Sequence, residues 1–179
     1  MPSAPETVVD LSRLNLSPGD GKRIELPIEL APFELGGQTY IADPAAPKVR
    51  LEASRHSSGF AFKLNFEIHI EGPCMRCLEP AEHDLAVEAR EVDQISTDDA
   101  DLRSPYIDED ELDIGRWAHD AVMLALPTQI LCRPDCLGLC AYCGEPLNDA
   151  APGAHDHEKP VDPRWSALKD LKLGGQQES

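Results

Sequence analysis

Apolar and polar residues alternate strictly over a long central stretch of this chain. Phe60, Phe62, Leu64, Phe66, Ile68 and Ile70 take every second position, against Ala61, Lys63, Asn65, Glu67 and His69. A period of two is the pattern of a strand with one buried face. Val49, Leu51 and Ala53 alternate in the same way with Arg50, Glu52 and Ser54, and Ser57-Ser58-Gly59 supplies a turn. Residues 49–55 and 60–71 are therefore predicted to form a hairpin. All four phenylalanines lie within residues 33–66, three of them on the one face, so this hairpin anchors the core. Ile24, Leu26, Ile28 and Leu30 alternate with Glu25, Pro27 and Glu29, and Pro27 marks that strand as an edge. Leu85, Val87 and Ala89 predict a further strand running back from 60–71. Residues 31–48, rich in Pro, Gly and Asp, read as a loop with a short strand around 39–42.

The period then changes. Ile114, Trp117, Ala118, Ala121, Val122 and Ala125 keep the i, i+3, i+4 spacing of one helical face, with Asp113 as cap and Pro127 as stop. A helix over 113–126 follows, with Trp117 in the core and His119 off the apolar stripe and exposed. A short helix over 163–172 is predicted from Asp162 as cap, Pro163 in the first turn, and Trp165, Leu168 and Leu171 on one face. The expected fold class is α+β. An antiparallel sheet or small open barrel over 20–93 leads through an acidic loop, 94–112, into the helix and then into a cysteine-rich, zinc-ribbon-like module over 131–161. Residues 1–19 form an N-terminal segment, 20–173 a single domain, and 174–179 a disordered tail.

Composition narrows the function. No apolar run nears the roughly 20 residues needed to span a bilayer. Thirty-three acidic against 16 basic residues give a net charge of −17. Nucleic-acid affinity rests on cations that neutralise phosphates. The basic residues here are scattered, with no run longer than Lys22-Arg23. Direct grip on naked nucleic acid is disfavoured, and an acidic surface fits a basic protein better. The carboxylates of 98–113 match no calcium-loop spacing and lack its central glycine, so they read as a solvated loop. No phosphate-binding glycine loop, nucleophile constellation or small-molecule site is legible, and the chain is read as a non-enzyme.

Candidate chemistry gathers on six cysteines. Cys74-Met-Arg-Cys77 sits at the predicted turn between two strands. Cys132, Cys136, Cys140 and Cys143 crowd into twelve residues, and His155 and His157 follow. Cys140-Ala-Tyr-Cys143-Gly144 has the form of a zinc knuckle: two thiolates three positions apart bite one tetrahedral ion, and glycine supplies the positive φ of the turn. Eight ligands suffice for two four-coordinate sites, and spacing alone does not say how they partition. Three disulfides are arithmetically open in fifteen connectivities. The N-terminus has no signal-peptide pattern, however, and the chain is expected in the cytoplasm, where thiols stay reduced. A redox Cys-x-x-Cys is expected beside a βαβ pattern, which is missing. His69-Ile-Glu71 and Pro73-Cys74-Met-Arg-Cys77 mimic both halves of a zinc-deaminase signature. Only Gly72 separates them, whereas that chemistry needs them on separate helices, and His69 alternates away from the apolar face.

Four segments together resemble one family. They are Gly72-Pro-Cys-Met-Arg-Cys-Leu78, Ala121-Val-Met-Leu-Ala-Leu-Pro127, Leu131-Cys-Arg-Pro-Asp-Cys-Leu-Gly-Leu-Cys-Ala-Tyr-Cys-Gly144 and Asp162-Pro-Arg-Trp-Ser-Ala-Leu168. In this order and spacing they are similar to the YceD family, the large ribosomal RNA subunit accumulation proteins, over roughly 20–173. The resemblance implies a bacterial or plastid factor needed for normal levels of 23S ribosomal RNA. It also implies a link to a large-subunit ribosomal protein or pre-ribosomal particle and no catalytic activity. Many relatives carry a Cys-x-Cys where this chain has His155-Asp-His157. Histidine preserves zinc ligation, so the resemblance supports those positions as ligands. The competing reading is a zinc-binding interaction module unrelated to ribosomes.

Overall fold

The computed structural model describes residues 8–94 and 102–157. Its strands are β1 (Val8–Asp10), β2 (Gly21–Pro27), β3 (Phe33–Leu35), β4 (Gln38–Asp43), β5 (Lys48–Arg55), β6 (Gly59–Pro73), β7 (Pro80–Gln94), β8 (Ile107–Asp108) and β9 (Glu111–Asp113), followed by helix α1 (Ile114–Ala125). Every strand pairing is antiparallel, which makes this an α+β chain dominated by sheet. The chain divides into two compact units, Met1–Cys136 and Leu137–Ser179. Past Cys136 the described chain is turn-rich and forms no named strand or helix.

In the first unit β6 is the central beam. β7 pairs with it along its whole length, from Gly59↔Gln94 to Pro73↔Pro80. Its other edge is shared by two shorter strands laid end to end. Residues 60–65 take β5 and residues 69–71 take β4. β2 closes the sheet beyond β5 and β3 beyond β4, so Pro27 does lie on an edge strand. The alternation is realised: Phe60, Phe62, Leu64, Phe66, Ile68 and Ile70 are all buried, and Val49, Leu51 and Ala53 complete the same face. α1 packs on β7. Asp113 caps it by accepting the Arg116 backbone N–H at 2.8 Å. Trp117 lies edge-on to Phe62 with centroids 6.5 Å apart, and the stripe from Ile114 to Val122 is buried. His119 is half-buried rather than exposed, because its ring stacks on Phe33 at 5.4 Å.

Two stretches differ from the sequence reading. Residues 107–112, placed in the acidic loop, and Asp113, placed at the start of the helix, form the β8–β9 hairpin. Val8–Asp10, placed in the N-terminal segment, pairs with β9. Leu112 is fully buried and Val9 nearly so, and these apolar residues outweigh their acidic neighbours in fixing the local structure. Asp93 is also buried, on the inward row of β7. It accepts hydrogen bonds from Arg103 Nε and the Ser104 backbone N–H, both at 3.0 Å, which satisfy the carboxylate and tie the 103–104 segment to the sheet. The expected helix over 163–172, the Asp162-Pro-Arg164 box and the 174–179 tail lie outside the described residues.

At the far end of β6 the sheet is shaped for a turn. Tyr40, fully buried, donates its hydroxyl to the Pro73 carbonyl at 2.8 Å, and its ring lies against Gly72. A Cβ at Gly72 would stand 2.2 Å from Tyr40 Cδ1. Because the ring is pinned by its own hydroxyl, Gly72→Ala is expected to destabilise the protein by about 1–3 kcal/mol through overpacking. Thermal or urea unfolding of the two proteins checks this.

Candidate metal centres

β6 ends at Pro73 and β7 begins at Pro80, so Cys74–Glu79 is the connection between the two longest strands. It is a tight knuckle. The Cys74 N–H donates to the Glu79 carbonyl at 2.7 Å, and the Leu78 N–H donates back to the Cys74 carbonyl at 3.0 Å. Cys140–Glu145 repeats the pattern. The Cys140 N–H donates to Glu145 at 2.8 Å and the Gly144 N–H to Cys140 at 2.9 Å. Each knuckle needs positive φ four residues after its first cysteine. Gly144 supplies it at 75°, and Leu78 adopts it at 64°. For leucine that conformation costs about 1–2 kcal/mol, because Cβ crowds the following carbonyl.

The first cluster lies within the first unit. Cys74 and Cys136 are fully buried, Cys77 nearly so, and Cys132 is half-buried. The chain beyond α1 is stitched to the knuckle by the Met75 N–H donating to the Ile130 carbonyl at 2.9 Å. Ile130 itself is buried. This brings Cys132 and Cys136 beside Cys74 and Cys77, and the four sulfurs all lie within 4.8 Å of one another. Cys74 Sγ is 3.7 Å from Cys136 Sγ, and Cys77 Sγ is 3.5 Å from Cys132 Sγ. No disulfide joins any of the six cysteines. Four thiolates at a zinc–sulfur distance of about 2.3 Å have tetrahedral edges near 3.8 Å, so these separations fit a four-coordinate ion.

The thiols of the cluster are displaced in opposite directions. Burial opposes ionisation of Cys74, but the backbone N–H groups of Arg76, Cys132 and Cys77 outweigh it and bring the thiol down to about 6. Burial, together with the sulfurs of Cys77, Cys136 and Cys74, pushes Cys132 up to about 12. Burial also raises Cys77. One thiolate forms readily and the next is resisted by the first. A divalent ion reverses that opposition, because its charge stabilises every thiolate at once.

The second cluster lies within the second unit. Cys140, Cys143, His155 and His157 offer ligand atoms that all fall within 4.8 Å of one another. Cys143 Sγ is 3.3 Å from His155 Nδ1, close to the roughly 3.6 Å edge of a tetrahedron with one sulfur and one nitrogen corner. The backbone N–H groups of Cys143 and Tyr142 lower the Cys140 thiol. His157 Nε2 is buried and has no hydrogen-bond partner among the described residues. A buried ring nitrogen without a partner is costly unless something coordinates it, and it faces a set of three other ligands. The turns that carry the histidines are closed by Ala154 N–H to the Ala151 carbonyl and Asp156 N–H to Gly153. The knuckle is flanked by the bridge pair Leu139 and Pro146 and by Leu147 N–H donating to the Gly138 carbonyl.

All eight residues singled out in the sequence are thus gathered, in two groups. The cysteines that run together in sequence do not share one site: Cys132 and Cys136 join the distant Cys74 and Cys77, while Cys140 and Cys143 join the histidines. His69 belongs to neither cluster. His69 donates its proton away from Cys74, to Asp84 at 2.7 Å, and points out of the sheet. The left-handed Leu78 was not legible, since its neighbours read equally well as an ordinary turn.

An antiparallel α+β chain with two Cys/His clusters is the setting for the comparisons with known proteins. The family model described as "Large ribosomal RNA subunit accumulation protein YceD" matches residues 62–172, a span containing both clusters. The chain belongs to the YceD family. An uncharacterised protein of Mycobacterium tuberculosis is 32% identical over 170 residues, covering 91% of this chain and 80% of its own length. An uncharacterised Mycobacterium bovis protein matches with the same figures. One from Mycobacterium leprae is 43% identical over 60 residues, covering 34% of this chain and 26% of its own. No solved structure matches.

Two consequences are measurable. Native mass spectrometry of protein purified under reducing conditions is expected to find two divalent ions per chain, and one after either Cys74→Ser or His157→Ala. Leu78→Gly is expected to stabilise the metal-loaded protein by about 0.5–1 kcal/mol, the relief of left-handed strain less the added chain entropy of glycine. Its melting temperature checks this.

Proposed function

We propose that this chain is a non-enzymatic factor in biogenesis of the large ribosomal subunit. It promotes accumulation of 23S ribosomal RNA in the cytoplasm and acts through a protein partner, a large-subunit ribosomal protein or a pre-ribosomal particle. Membership of the YceD family carries the ribosomal part of this reading. The net charge of −17 supports action through a basic protein rather than direct contact with phosphates.

Each cluster would hold one zinc ion in a structural role. Cys74, Cys77, Cys132 and Cys136 would take the first, and Cys140, Cys143, His155 and His157 the second. Zinc supplies folding free energy in such sites, since the ligands come together only in the folded chain. With four protein ligands apiece neither ion keeps an open position for water or substrate, which supports a non-catalytic role. The first ion would tie the β6–β7 turn to the chain beyond α1, and the second would hold a segment that has no strand or helix of its own among the described residues.

The expected outcome of deleting the gene is a deficit of large subunits and of 23S ribosomal RNA on a sucrose gradient, with small subunits in excess. A normal profile contradicts the ribosomal reading and favours an interaction module unrelated to ribosomes. Co-purification at moderate salt is expected to recover protein. Recovery of naked RNA with no ribosomal protein contradicts the mode of action.

A further inference from the structure

The outer face of the sheet carries a groove beside the first knuckle. Ile41 pairs with Glu71, and Glu71 with Glu82, so these three side chains stand in one row across β4, β6 and β7. The chain then passes through the knuckle, and Leu78 comes to lie at the end of the same row. Between them is a groove of about 590 Å³, floored by Gly72, Pro73 and Pro80 and walled by Ile41, Leu78 and the two glutamates. Among the described residues, neither Lys nor Arg lines it. The next row along the sheet, Asp43, His69 and Asp84, adds two more carboxylates. His69 is held by Asp84 at 2.7 Å and lies 3.6 Å from Glu82.

Folding alone does not account for the apolar walls. Ile41 is 47% exposed and Leu78 54%. Leu78 also sits in the left-handed region, where the second knuckle uses Gly144. The left-handed backbone of Leu78 costs stability that its exposed side chain does not recover by burial, and a bound partner that covers it would supply that burial.

We propose that this groove docks a basic segment of a partner protein. The segment presents one apolar side chain to Ile41 and Leu78 and flanks it with Lys or Arg facing Glu71 and Glu82. Charge complementarity fixes the occupant. Among the described residues two carboxylates and no Lys or Arg line the groove, and the chain as a whole carries −17, so nucleic acid and a second copy of this chain are both repelled. The apolar walls add what charge alone lacks, a site where a buried anchor sets affinity and register. The inference rests on the chain being a protein-binding factor and not on which RNA it serves.

The test is a titration of the metal-loaded, nitrogen-15-labelled full chain with a short Lys/Arg/Ala peptide carrying one central Leu. Backbone resonances of Thr39, Ile41, Gly72, Leu78 and Glu82 are expected to shift together. Replacing the peptide Leu by Ser is expected to weaken binding about tenfold, as is Ile41→Ser or Leu78→Gly in the protein. The double charge reversal Glu71→Lys with Glu82→Lys is expected to abolish it. Leu78→Gly keeps the fold as the readout, since it should melt no lower than the parent and retain two ions while binding worse. Four results each overturn the inference: no binding at millimolar peptide, equal binding of the Ser peptide, shifts spread to remote carboxylates such as Glu25 and Glu52, or shifts that track protein concentration alone. The gradient profile is an independent readout. A null titration beside an altered profile removes the groove and keeps the function, and the converse pair removes the function and keeps the groove.

Discussion

The structure depends on one convergence, that of four sulfurs from two ends of the first unit. Cys74 and Cys77 terminate the longest hairpin of the sheet, and Cys132 and Cys136 arrive from beyond the helix, with paired sulfurs 3.5 and 3.7 Å apart. Buried thiols so close together resist joint ionisation, and the raised Cys132 thiol, pushed up by burial and the neighbouring sulfurs, expresses that resistance. A divalent cation is the simplest species that resolves it. Once the cluster is read as a metal centre, the surrounding details fall into place. Gly72 exists to admit Tyr40. Tyr40 holds the Pro73 carbonyl, and the backbone bond from Met75 to Ile130 brings the second pair of sulfurs in.

The second cluster differs in kind. Cys143 is exposed and both histidines are half-buried, so its ligands are organised by a few turn hydrogen bonds rather than by a core. Its clearest signature is the buried His157 Nε2, unpartnered among the described residues. The two knuckles nevertheless share one hydrogen-bond pattern. They differ mainly at the position that must be left-handed, leucine in one and glycine in the other. That difference links local backbone chemistry to the surface, because the strained leucine is also a wall of the acidic groove.

Much of this was legible in the residues themselves. The six alternating apolar positions of β6 specify both the strand and its buried face, since a slip of one residue would turn all of them outward. The i, i+3, i+4 stripe with Asp113 and Pro127 specifies the helix. Cys-x-x-Cys with a following glycine specifies a knuckle. What stayed hidden depended on distance in sequence. Nothing local says that Cys132 belongs with Cys77 rather than with Cys143, because that pairing is made by the sheet turn meeting the chain after α1. The β8–β9 hairpin was masked by its carboxylates, and only the packing of Leu112 and Val9 reveals it. The burial of Asp93 is likewise invisible without Arg103 and the Ser104 N–H beside it.

The partition of ligands is the central claim, and zinc-edge X-ray absorption of the double variant Cys74→Ser with Cys77→Ser tests it most directly. Cys140, Cys143, His155 and His157 should still hold their ion, and the spectrum should show two sulfur and two nitrogen neighbours. A shell of four sulfurs would mean that Cys132 and Cys136 had been sharing an ion with Cys140 and Cys143 all along, and the account of both centres would be wrong.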